Sequence, residues 1–144
     1  MPFVRKNQVK SAFLSLENGK TISQCEAEFA GAANTFDFYA GMTDKIEHKL
    51  IPSGNDTFNY VVLEPFGVSL QIVPWNYPVS IFASMVAQNL IVGNAIVIKE
   101  KFSASDFWSD IQKYEATIFP YVGELCRYLL NSKEVPEEKD HKIR

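Results

Sequence analysis

Val68-Ser69-Leu70-Gln71-Ile72-Val73-Pro74-Trp75-Asn76-Tyr77-Pro78, VSLQIVPWNYP, is the stretch whose reading decides the fold. Its first six residues are nearly continuous in apolar and strand-forming side chains, the pattern of a β-strand covered on both faces. Two prolines then bracket an apolar loop that keeps Trp75 and Asn76, and Ser80 to Val92 follows with helical spacing. Gly93-Asn94 closes that helix, and Ala95 to Ile98 repeats the buried-strand signature. Strand, helix and strand in this order make a parallel crossover and point to an α/β fold.

Toward the C-terminus, Ser103 or Ser105 is placed to cap a helix carrying Phe107, Trp108, Ile111 and Tyr114. Ala116 to Val122 reads as a further strand and Glu124 to Leu130 as a further helix, with Leu125, Leu129 and Leu130 as core positions. Beyond Asn131 the chain is dominated by charge, from Lys133 to Arg144, and reads as a solvated tail.

Toward the N-terminus, Thr57 to Leu63 alternates Phe58, Tyr60 and Val62 against smaller or polar residues, as in a half-exposed edge strand, and Glu64-Pro65-Phe66-Gly67 turns the chain. Ile22, Cys25, Phe29, Ala32, Phe36 and Tyr39 recur at helical spacing, with Ser23 and Glu26 placed as a capping box and Gly41 near the end. Val9, Ala12, Phe13 and Leu16 fall on one face of a shorter helix that Asn18-Gly19 terminates. Glu47, His48 and His141 read as surface residues rather than an acid/base group.

Of the 144 residues, 47% are hydrophobic and 22% charged, which suits a chain that builds a core. The net charge of -3 gives no basic field for nucleic acid or anionic lipid. Ser84, Gln88 and Asn89 interrupt the most apolar helix, so no membrane span is expected. Two cysteines, Cys25 and Cys126, lie far apart with no histidine at ligand spacing, which argues against a metal site and for a reduced, cytoplasmic setting.

Five segments between about residues 11 and 99, LENGKTI, AANTFDFYAG, YVVLEPFGV, QIVPWNYP and GNAIVIK, resemble in order and spacing the N-terminal part of the NAD(P)-dependent aldehyde dehydrogenase superfamily. The resemblance implies a partial Rossmann-like parallel sheet with flanking helices, an N-terminal helical segment and an edge strand, binding its ligand at the carboxyl ends of the strands. It implies that Ile72, Val73, Pro74, Trp75 and Asn76 line a cleft for NAD or NADP, that the Asn76 amide donates to a developing oxyanion, and that Lys99 hydrogen-bonds the adenosine ribose. The family continues with a small residue, Ala and a ribose-holding Glu, whereas Glu100, Lys101 and Phe102 stand here, which leaves NAD and NADP undistinguished and cofactor binding weak or vestigial. The resemblance further implies that Leu50 to Glu64 contributes to an oligomerisation sheet, so self-association or pairing with an aldehyde dehydrogenase subunit is expected.

From Lys101 onward, KFSASDFWSDIQKYEATIFPYVGELCRYLLNS and the distal EKDHKIR are similar instead to the fatty-acid-transport-protein group of very-long-chain acyl-CoA synthetases. The expected division is 1–99, 100–131 and a tail at 132–144, with a seam between Ala95 and Lys101 and a loosely packed core across it. The expected function is that of an aldehyde dehydrogenase-like part, inactive alone because neither cysteine holds the nucleophile position and the family's glutamate base position lies beyond Lys99. The alternatives are an oligomerising interaction module and an acyl-CoA synthetase-like part.

Overall fold

In the computed structural model, residues 2–99, 101–121 and 123–144 are described, with side chains from residue 9 onward. Two helices lead, α1 (Pro2–Asn18) and α2 (Ile22–Ala40), followed by strands β1 (Lys49–Ile51), β2 (Asn59–Val61) and β3 (Val68–Leu70). Helix α3 (Pro78–Ile91) connects β3 to β4 (Ala95–Val97), and α4 (Phe107–Lys113), α5 (Leu125–Leu130) and a 3-10 turn (Pro136–Lys139) complete the order. The expected crossover is present: β3 and β4 pair in parallel with Val68 opposite Ala95 and Leu70 opposite Val97. Gly93 ends α3 at φ +81°, and a Cβ there would stand 3.1 Å from Pro65 Cγ, so both the backbone and the neighbouring turn require glycine.

Buried Leu70 on β3 meets Phe107 and Ile111 on α4 and Ala116 beyond it, and Ile72, Val97, Phe119 and Ile143 pack around them. The Phe107 ring meets Trp108 and Phe119 edge-on at 5.0 and 5.1 Å between centroids. This core therefore crosses the expected seam, and its centre is shut off from solvent: Phe107 and Ile111 are 2% and 0% exposed.

Several expectations are corrected. Helix α1 buries Ser11 and Leu14, while Val9, Phe13 and Leu16 face outward, so the inward face is rotated from the apolar one. Thr21, not Ser23, caps α2; its hydroxyl accepts from the Gln24 amide and the Gln24 side chain returns to the Thr21 N–H. Asp106 precedes α4 and no side chain caps it, while Ser103 and Ser105 bond each other. The strand expected over Ala116 to Val122 reduces to one parallel bridge, Ser69 to Ile118. Pro120 has no N–H with which to extend that ladder, and Val122 lies outside the described residues, as does Glu100. The edge strand is shorter than Thr57 to Leu63 and has a partner, β1, antiparallel with Leu50 opposite Tyr60.

Leu130 is exposed, not core, although Leu125 is buried. The charged tail is not merely solvated. Ile143 packs on the core, the Arg144 N–H donates to Thr117 O at 3.0 Å, Gln112 bonds Asp140, and His141 stacks on Trp108 with 5.3 Å between ring centroids.

Candidate functional site

The loop between β3 and α3 is held from below by the turn between α1 and α2. Asn18 Nδ2 donates to Trp75 O, and Lys20 Nζ lies 3.5 Å above the Tyr77 ring while donating to Glu28. Glu28, with a side chain only 1% exposed, also accepts the backbone N–H groups of Val79 at 2.9 Å and Ser80 at 3.1 Å. Pro78 opens α3, so these are among the first amides that the helix leaves without an internal partner, and a carboxylate is the favoured group there. Burial alone pushes the Glu28 carboxyl up, but the bonds from Lys20, Ser80 and Val79, with the lysine charge, outweigh it and hold it below the ordinary carboxylate range.

Above this clamp, a cleft of about 690 Å³ opens where β3 and β4 end. Its lining is mostly apolar, with Leu70, Val79, Phe82 and Phe107, and it joins Ile72, Val73 and Trp75 from the loop after β3 to Ile98, Lys99 and Phe102 after β4. Trp75 is 77% exposed and forms an open rim. Of the residues expected in a cofactor cleft, Ile72, Val73, Trp75 and Lys99 line this one together. Pro74 is half-buried and Asn76 is exposed in the adjoining turn; neither lines the cleft.

Lys99 is not alone. Its ammonium forms an ion pair with Asp110, which α4 carries and which lines the same cleft. The hydrogen bond to Asp110 holds the lysine above its ordinary value against a smaller opposing effect of desolvation. Gln71, also lining the cleft and 8% exposed, donates through Nε2 to Ser69 Oγ at 2.6 Å, while its Oε1 has no donor.

These residues fit one end of a dinucleotide better than the other. The cleft offers apolar walls, an exposed indole and a donor beside an acceptor, which suit a planar base and a sugar. The N-terminus of α3, a natural phosphate site, is occupied by the Glu28 carboxylate and offers nothing to a pyrophosphate.

Asn18, Lys20, Glu28, Gln71 and Asp110 carry this geometry, and the sequence reading had not singled them out for it. Only Asp110 left a trace, because it shares a helical face with Phe107 and Ile111. Cys25 is completely buried and Cys126 is half-buried on α5; neither lines the cleft. Glu47 and His48 are exposed, and His48 Nδ1 accepts from the Leu63 N–H at 3.1 Å. Among the described residues no group of side chains could hold a metal ion, and no helix is long and apolar enough to cross a membrane.

The profile of the aldehyde dehydrogenase family matches residues 4–106. An aldehyde dehydrogenase of Aspergillus niger is 37% identical over 97 residues, which are 67% of this chain and 20% of that protein. The solved structure of betaine aldehyde dehydrogenase from Staphylococcus aureus in complex with NAD+ superposes with a TM-score of 0.60 at 32% identity, covering 64% of this chain and 18% of that one. A second segment is similar to human long-chain fatty acid transport protein 6, 57% identical over 53 residues, 37% of this chain and 9% of that protein. That match is longer than everything following Asp106, so the two similarities share residues. The chain spans about a fifth of the length of the aldehyde dehydrogenases it matches.

Proposed function

The chain belongs to the aldehyde dehydrogenase family, and from that premise we propose that its cleft is a weak site for the adenosine half of NAD or NADP which does not support aldehyde oxidation by this chain alone. The observation that carries this reading is the convergence of Val73, Trp75 and Lys99, from two loops far apart in sequence, on one apolar cleft at the strand ends. Trp75 offers a stacking face, and Lys99 offers N–H donors to ribose hydroxyls. When bound, the nicotinamide would supply hydride-accepting chemistry. Asn76, exposed beside the cleft, is the chain's donor for a developing oxyanion, a role in which one amide can contribute about 3 kcal/mol.

Turnover also needs a thiolate that attacks the aldehyde, and both cysteines lie off the cleft, with Cys25 0% exposed. The purified chain with NAD, or NADP, and a panel of aldehydes should therefore produce no NADH or NADPH. Cofactor reduction that Asn76→Ala abolishes would overturn this reading.

The division we infer is 1–99 of aldehyde dehydrogenase type, 100–131 of acyl-CoA synthetase type and a charged tail at 132–144, joined between Ala95 and Lys101 as a fusion of two ancestries. Two unpaired thiols suit a cytoplasmic setting. A second reading, self-association or pairing with an aldehyde dehydrogenase subunit, is favoured by the β1–β2 hairpin. Every residue of both strands is exposed, including Leu50, Tyr60 and Val61.

A further inference from the structure

The Lys99–Asp110 pair carries more than a link between two segments. An ammonium has three donors and no acceptor, and an ionised carboxylate has only acceptors. Each spends part of that capacity on the other, and both line the cleft with capacity left over. Two neighbouring hydroxyls complement such a pair, because each can accept one hydrogen bond and donate another: one hydroxyl accepts a hydrogen bond from Lys99 while the next donates one to Asp110. A phosphate monoester has no such match. It carries a charge of about -1.5 to -2 at neutral pH, it adds acceptors, and beside Asp110, whose side chain is 14% exposed, it meets a poorly solvated like charge.

The rest of the cleft does not reverse that preference. Position 102 presents an aromatic ring, and among the described residues the charged lining side chains balance, Lys99 and Lys101 against Glu17 and Asp110. Lys101 is exposed, so its attraction for a phosphate is screened by solvent.

We propose that Asp110, supplied by α4, is the specificity-determining residue of this cleft and selects a ribose with a free 2′-hydroxyl over a 2′-phosphorylated one, and hence NAD over NADP. The inference rests on the cofactor reading above and adds to it a residue from outside the five family segments. Its test is a pair of 1H–15N shift titrations, with NAD and with NADP, on the parent chain, Asp110→Asn and Asp110→Glu. The parent should favour NAD by about tenfold, the effect of one hydrogen bond to a charged group. Asp110→Asn should bring that ratio down to about twofold, and Asp110→Glu, which keeps the carboxylate, should hold most of it. Equal binding of the two nucleotides by the parent, a preference for NADP, or an NAD preference unchanged in Asp110→Asn would overturn the role of Asp110 while leaving the cofactor site standing. Absence of shifts with either nucleotide would overturn both.

Discussion

Glu28 shows how a single buried carboxylate serves the site without touching it. Its two backbone bonds fix the first turn of α3, and its bond to Lys20 fixes the cation that covers Tyr77, so the Trp75–Tyr77 loop has little freedom to collapse into the cleft. Because the folded-state pKa is depressed, the stabilisation is complete above the unfolded value near 4.5 and is lost as the pH falls through the folded value. Glu28→Gln keeps an acceptor for the amides but loses the ion pair. It should destabilise the chain by roughly 1–3 kcal/mol at pH 7. In denaturant titrations the difference between parent and variant should shrink below pH 4; an unchanged midpoint at pH 7 would remove Glu28 from the clamp. The sequence marked Ile72, Val73, Trp75 and Lys99 as neighbours because they sit in segments of fixed order, whereas Asn76 from the same motif does not line the cleft. Glu28 and Asp110 were not legible, since each acts on a residue that only the fold brings near: Glu28 reaches the Val79 amide, and Asp110 belongs to a segment of other resemblance.

Among the elements, the crossover β3–α3–β4 was legible to within two residues at each helix end, because runs of strand-forming residues and a Gly-Asn helix stop leave strong local marks, although β4 is not the buried strand its apolar run suggested: Ala95 is exposed and Ile96 and Val97 only half-buried. Helix α1 was legible as a helix but not in its facing. Its apolar residues and its buried residues form different stripes, and Phe13 at 68% and Leu16 at 85% exposure leave an apolar stripe without a cover among the described residues. The strand at Ala116 failed where Pro120 removes a donor. The hairpin β1–β2 has a similar surplus: Phe58, Tyr60 and Val62 stand out from β2 and its flanks, with the Phe58 and Tyr60 rings 5.4 Å apart. Such an edge pairs with another chain or is kept from doing so by charge. Light scattering after size-exclusion should therefore give a mass above the 16.3 kDa of one chain, returning toward it in Tyr60→Lys or Val62→Pro. A parent that runs as a monomer at every concentration would end the interaction-module reading.

At the scale of the molecule, two unlike segments share one core. Leu70 belongs to the first, Phe107, Ile111 and Ala116 to the second, and the terminal Ile143 closes over them. The accessible surface, 10661 Å², is nonetheless well above the ~7,500 Å² expected of a compact monomer of this mass, consistent with apolar faces on α1 and the hairpin that no described element covers. The lining of the cleft comes from both segments, with Ile72, Val73 and Trp75 from the first and Phe107 and Asp110 from the second. Under the proposed function this joint cleft receives the adenosine half of the cofactor, weakly because α3 offers no free amides to the pyrophosphate. The most direct measurement is the residue-by-residue shift titration of the parent chain with NAD. It should report dissociation in the millimolar range, about 4 kcal/mol, with the backbone amides of Gln71 to Val73 and Trp75 and those of Lys99, Phe102 and Asp110 moving together on one binding curve. Micromolar binding, or shifts confined to residues 71–75 alone, to residues 99–110 alone or to residues outside the cleft, would contradict it.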